Sequence, residues 1–166
     1  LAGTPTGDRV TALLDGMTLA EAAVIPDQIK GWDRHGPNTP GGFYLSNHPK
    51  IEDQLRAFCL ANPRSKTPRS EDDTDPIPSH HWFHYTDIPL VGHDHYREGK
   101  HGRSQWDLVQ MISFCVGVLN GTISEDNPRK ITKPIAVILL AHYLGDIHQP
   151  LHVGAQFFDR QGRPID

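Results

Sequence analysis

Apolar residues recur at helical spacing through much of the chain and almost nowhere alternate with polar ones in the two-residue rhythm of a strand. From Thr4 to Ala23 the apolar positions are Val10, Leu13, Leu14, Met17, Leu19, Ala22 and Ala23. Gly16 and Thr18 divide this stretch into two helices, and Thr18 with Glu21 forms a capping box for the second. Pro26 predicts either a kink in that helix or a fresh turn carrying Asp27 and Lys30. Lys50 to Ala61 is amphipathic through Ile51, Leu55, Phe58 and Cys59. Ser104 predicts the cap of a helix reaching Asn120, with Trp106, Val109, Ile112, Val116 and Leu119 facing inward. Pro134 opens the last strong helix, Ile135 to Ile147, apolar through Ile135, Val137, Ile138, Leu139 and Leu140. Segments 33–49 and 62–80 read as loops. The second holds the acidic run Glu71-Asp72-Asp73-Thr74-Asp75, which lacks the glycine and terminal glutamate of a calcium loop. With no internal repeat, the pattern predicts one all-α domain with long loops.

Composition narrows the chemistry. A chain of 166 residues can bury roughly 70% of the surface it exposes when unfolded, so it needs no staples. Sixteen Lys plus Arg against twenty Asp plus Glu give a net charge of −4, which argues against a broad basic face gripping nucleic acid. No apolar run approaches the ~20 residues of a membrane span. Eleven histidines, about one residue in fifteen, shift the expectation toward a metalloprotein. Cys59 and Cys115 both lie in apolar helical stretches, where a buried thiol and a disulfide are equally compatible readings. Asn120-Gly121-Thr122 is a glycosylation acceptor only in a eukaryotic secretory cell.

The strongest chemical signal sits on the last helix. His142 and Asp146 are four residues apart and project from one face, where imidazole and carboxylate can hold a divalent ion between them. An ordinary hydrogen-bonded surface pair has the same spacing. The helix is very apolar, however, and carries both groups toward the core, where an unpaired charge is expensive. After the helix-breaking Pro150 the chain turns and returns His152 to the neighbourhood.

The run His142-Tyr143-Leu144-Gly145-Asp146-Ile147-His148-Gln149-Pro150-Leu151-His152 resembles the signature of the zinc-dependent single-strand nucleases of the P-one and S-one type, which share a superfamily with bacterial zinc phospholipase C. Two further segments carry the resemblance: Trp82-Phe83-His84-Tyr85-Thr86-Asp87, and Ile25-Pro26-Asp27-Gln28-Ile29-Lys30. The resemblance implies an all-α nuclease fold in which Asp27, His84, His142 and Asp146 form one zinc site. Asp146 would bridge to a second zinc, and His152 would begin the site of a third. Asp27 would also orient the attacking water, and Lys30 stands where these nucleases carry a transition-state arginine, keeping the charge but not the bidentate fork. Tyr85 and Asp87 match the pair that stacks on the scissile nucleotide's base and hydrogen-bonds its edge. Stacking tolerates any base, which suits cleavage of single strands.

The implied activity is hydrolysis of 3′-O–P bonds in single-stranded DNA and RNA to 5′-phosphate products, with 3′-nucleotidase activity from the same site. The resemblance also implies a monomer acting outside the cytoplasm, secreted or periplasmic. The family's N-terminal amine, a nearby histidine and a late His-Asp pair have no counterpart between Leu1 and Asp166, so a fragment with one complete zinc site out of three is expected. The rival readings are a zinc phospholipase C, a helical phosphohydrolase built on His93-Asp94, and a non-catalytic metal-binding domain. His80 and His81 compete with His84 as ligands, but His84 has the flanking Phe83 and Tyr85 of the motif. His148 is expected to point away from the His142 and Asp146 face. His35, His48, His95 and His101 read as loop residues.

Overall fold

Helix α1 (Pro5–Leu13) starts where the Thr4 side chain accepts from the Gly7 amide, with a proline in the first turn. Helix α2 (Leu19–Gln28) carries the expected capping box: the Glu21 amide donates to Thr18 Oγ1 at 3.2 Å, and Glu21 Oε2 accepts from the Thr18 amide at 2.9 Å. Pro26 does not end this helix. Although it has no N–H to offer the preceding turn, α2 runs through it to Gln28 and tightens into a 3-10 turn over Ile29–Gly31. Asp27 is therefore helical, and Lys30 lies on the turn that follows. These elements come from a computed structural model that describes residues 3–32, 47–63, 79–91, 96 and 103–165. The acidic run, most of both long loops, and His35, His93, Asp94, His95 and His101 lie outside the described residues.

Helix α3 (Pro49–Ala61) buries Ile51, Leu55, Phe58 and Cys59, the stripe its sequence predicts. Helix α4 (Leu108–Asn120) departs from expectation. Its cap is Asp107 rather than Ser104, and its buried stripe is Leu108, Met111, Cys115 and Val118, one residue out of step with the predicted face. Val116, expected inside, is 46% exposed. Apolar residues occupy almost every face of this segment, so the helix packed across it decides which ones turn inward. The helix closes at Gly121, whose φ of 82° is the left-handed conformation that glycine adopts without strain.

Helix α5 (Lys133–Asp146) is the central element. It packs mainly against α2 and α4, and it buries Ile135, Ala136, Val137, Ile138, Leu139, Tyr143 and Asp146. A short helix, α6 (Pro150–Val153), follows after the chain turns. Strand β1 (Ile88–Pro89) then pairs in parallel with β2 (Gly154–Ala155), Ile88 opposite Gly154. Next to that pairing the Thr86 amide donates to the His152 carbonyl at 2.8 Å. This short ladder lays the segment after His84 alongside His152. Strands β3 (Phe157–Phe158) and β4 (Pro164–Ile165) form a separate antiparallel pair. The architecture is all-α apart from these two-residue strands. Cys59 and Cys115 are both buried and not bonded to each other. Among the described residues no helix is long and apolar enough to cross a membrane.

Candidate metal centre

The last turn of α5 presents His142 and Asp146 to one point, four residues apart as the helical repeat requires. Asp146 is 7% exposed. The His142 Nδ1 lies 2.7 Å from the Ala23 carbonyl of α2. A carbonyl only accepts, so Nδ1 carries the hydrogen and the Nε2 lone pair of the neutral ring faces the cluster. From that Nε2 it is 3.1 Å to Asp146 Oδ2, 2.9 Å to His84 Nδ1 and 3.8 Å to Asp27 Oδ1. His84 closes the triangle, its Nδ1 standing 2.9 Å from Asp146 Oδ2.

His84 reaches this point from the 3-10 turn His80–His84, which starts where the His81 amide donates to Ser79 Oγ. Its ring is 1% exposed and meets the Tyr143 ring edge-on at 5.4 Å. His80 instead turns toward Phe58, 5.7 Å between rings, and of the turn's histidines His84 is the one placed against His142 and Asp146. The remaining oxygen of Asp146 faces His152, with Nδ1 of His152 3.1 Å from Oδ1. The same Nδ1 is 3.2 Å from the His84 carbonyl. Both carboxylate oxygens of Asp146 are thus engaged, each on a different side.

The rim carries the other predicted residues. Asp27 is 61% exposed at its side chain and bonded to Lys30 Nζ at 2.7 Å. Lys30 in turn lies 5.9 Å from the centre of the Tyr85 ring, and the Tyr85 ring meets that of His152 at 4.7 Å with a tilt of 42°. None of the cluster's described contacts involves Asp87, which is half-buried two residues beyond Tyr85. His148 is exposed, and its Nδ1 donates to the Leu144 carbonyl, away from the cluster as expected.

The electrostatics follow from these contacts. Burial pushes the His84 ring down to about 4, against a weaker pull upward from Asp146. Burial alone would raise the Asp146 carboxyl, but hydrogen bonds from His142 and His84 hold it far below the usual carboxylate range. Burial works to lower His142, yet its bonds to Asp146 and to the Ala23 carbonyl raise it overall. For Asp27, burial is outweighed by Lys30, which keeps the carboxyl low. Burial raises Asp87.

These donors fit a divalent cation. With Nδ1 of the neutral His142 ring protonated, its Nε2 and Asp146 Oδ2 confront each other as two lone pairs at 3.1 Å, a contact that a proton or a metal cation on Nε2 makes favourable. The single hydrogen on His84 Nδ1 cannot serve both neighbours fully. A positive charge shared among the three atoms removes the conflict. Ligands about 2.0–2.1 Å from a tetrahedral zinc stand roughly 3.3 Å apart, close to the observed spacings. Asp27, His84 and His142 bring ligand atoms within 4.8 Å of one another, so an exposed carboxylate is within reach as well.

Three features were missed in the sequence. The Ala23 carbonyl that fixes the His142 ring is a backbone group and leaves no signature. Arg129 is buried beside Phe83, in a segment for which the sequence offered no reading. Asp107 was within reach, since an Asp directly before an apolar run is a strong cap signal.

Among curated proteins and among solved structures, nothing matches the chain significantly. The family described as S1/P1 Nuclease matches residues 5–163, a span that holds the cluster and its rim. A helical fold, a buried His-His-Asp cluster and a match over nearly the whole chain agree: the chain belongs to the S1/P1 nuclease family, hydrolases that act on nucleic acids.

Proposed function

We propose that the protein is a zinc-dependent phosphodiesterase that hydrolyses 3′-O–P bonds of single-stranded DNA and RNA to 5′-phosphate products, and removes 3′-phosphates from nucleotides at the same site. The observation that carries this reading is the Asp146 carboxylate, engaged by His84 and His142 through one oxygen and by His152 through the other. His152 Nδ1, which carries a hydrogen because it also faces the His84 carbonyl, holds Oδ1 from its side and so keeps Oδ2 turned toward the His84 and His142 donors. Asp27, His84, His142 and Asp146 would hold one zinc, and His152 would contribute to a further one. Bound there, zinc would supply an activated water near neutral pH and positive charge for the phosphate.

The chain's own residues have separable tasks. Asp27 is ionised at neutral pH and exposed, so it accepts a hydrogen from the attacking water and orients it. The water oxygen bonds to phosphorus as the 3′-oxygen leaves, taking up a proton. Lys30 adds a cation beside Asp27 and above the Tyr85 ring. Tyr85 offers its ring to the base without sequence preference, and Asp87 hydrogen-bonds the base edge. The acidic net charge of −4 is compatible with this, because a metal cluster supplies its positive field locally. On the habit of the family we place the protein outside the cytoplasm and read it as a monomer.

Zinc-loaded protein incubated with a single-stranded oligonucleotide is expected to release fragments bearing 5′-phosphates, and dialysis against a chelator is expected to abolish the activity. Hydrolysis of short-chain phosphatidylcholine without oligonucleotide cleavage would replace this reading by a phospholipase. Tight zinc binding with neither activity would leave a metal-binding module.

A further inference from the structure

Asp107 does more than a helix cap requires. One bond to a first-turn amide suffices for a cap, and Asp107 Oδ1 makes it, accepting from the Gln110 amide at 3.0 Å. The carboxylate is 3% exposed and takes further donors. Thr86 Oγ1 donates to Oδ2 at 3.1 Å, and the Tyr96 hydroxyl reaches Oδ1 at 2.9 Å. Gln110 Nε2 supports the Tyr96 oxygen at 3.0 Å. The Ser104 amide completes the set at 3.4 Å.

Thr86 lies between Tyr85 and Asp87, and the start of α4 grips this segment twice. Besides the Thr86 hydroxyl on Asp107, the Leu108 amide donates to the Tyr85 carbonyl at 3.0 Å. From the opposite side the His152 carbonyl accepts from the Thr86 amide at 2.8 Å. Thr86 is itself 2% exposed, so it does not meet solvent or substrate directly. Among the described residues its side chain has one partner, a buried carboxylate, and charge-assisted bonds of this kind are the stronger ones. A residue fixed at its amide on one side and its hydroxyl on the other leaves the two residues flanking it little freedom to shift.

We propose that Asp107, acting through Thr86, is a positioning residue that holds Tyr85 and Asp87 in register for the base of the scissile nucleotide. The inference rests on the reading of Tyr85 and Asp87 as the base-binding pair. Thr86→Val separates this role from helix capping, because it removes the hydroxyl and leaves the bond between Asp107 and Gln110 in place.

The test uses a dinucleotide and the same dinucleotide made abasic on the 5′ side of the scissile phosphate. Wild type is expected to favour the complete substrate through KM. Thr86→Val is expected to raise KM for the complete dinucleotide roughly tenfold, the equivalent of one hydrogen bond to a charged group, with little change in kcat. The abasic substrate should be cleaved as by wild type, and Thr86→Ser should restore the wild-type KM. Should Thr86→Val fail to fold, Asp107→Asn carries the same comparison, since Asn caps helices as well as Asp does. An unchanged KM in an active variant, or equal losses on both substrates, would overturn the positioning role. Wild type that binds zinc but cleaves neither substrate would remove the underlying function, and this inference with it. Wild type that cleaves both equally well would remove the base-binding pair and the positioning role with it, while leaving the nuclease activity standing.

Discussion

Two buried charges flank the turn His80–His84, and they are satisfied in opposite ways. Through His84 the turn meets Asp146, a carboxylate surrounded by the ring nitrogens of His84, His142 and His152. Through Phe83 it meets Arg129, a guanidinium 2% exposed, 4.8 Å from the Phe83 ring and 3.6 Å from the Trp106 ring. Phe114 stands 5.7 Å away on the same cation. The Nη1 and Nη2 atoms of Arg129 have no hydrogen-bond partner among the described residues. Burial lowers the Arg129 guanidinium to about 10, which still leaves it cationic at neutral pH. Ring faces attract a cation but have no proton or lone pair to exchange with it. Imidazoles have both. One charge therefore stabilises packing, while the other stands among atoms that can trade a proton for a metal ion. Burial alone does not distinguish a functional charge; the chemistry of its partners does.

Phe83 is the wall shared by both regions, and removing it should injure both. Phe83→Ala is expected to cost about 4 kcal/mol of stability, read by urea denaturation, because a fully buried ring leaves a cavity and uncovers the cation. Asp146→Ala should lower kcat/KM on an oligonucleotide at least about a hundredfold, close to 3 kcal/mol of transition-state stabilisation, with the helical circular dichroism signal retained. If this variant kept its activity, the contrast between the two charges would be lost.

Proton competition sharpens the comparison on the Asp146 side. The folded state holds His84 at about 4 against 6.5 for the free side chain. Below pH 6.5 the unfolded chain therefore takes a proton that the folded one refuses, and stability falls as pH drops toward 4. In the metal-free protein His84→Gln should flatten this loss by roughly 2 kcal/mol between pH 6.5 and 4.5, measured as a smaller drop in melting temperature than wild type shows. His142 has the opposite sign, its raised pKa adding stability at low pH that is lost as pH rises through the folded value. The smallest effect belongs to Arg129→Met, which exchanges cation–π attraction for apolar packing and relief from charge burial. A change of about 1 kcal/mol in stability and an unchanged kcat/KM are expected. A hundredfold loss of activity would make Arg129 part of the chemistry and erase the distinction.

The site was more legible than the surface that supports it. His142 and Asp146 announce themselves by helical spacing on an apolar helix, a local signal, whereas His84 was singled out by the resemblance of its flanking Phe83 and Tyr85 to the family's motif. The capping box of α2 and the stripe of α3 were legible as local signals too. The inward face of α4 was not, since a segment apolar on nearly every side has a weak period and its orientation is set by α5. Thr86 and Asp107 are 21 residues apart in sequence, and no local pattern couples a hydroxyl to a carboxylate at that distance. Arg129 could not be read as buried because the residues that cover it, Phe83, Trp106 and Phe114, come from two distant stretches.

Zinc content per chain tests the central claim most directly, determined by elemental analysis of wild type and of Asp146→Ala purified without chelator. At least one zinc per chain is expected in wild type, with a sharp fall in the variant. A wild-type protein free of zinc, or a variant that retains its full complement, would contradict the assignment of this cluster as a metal centre.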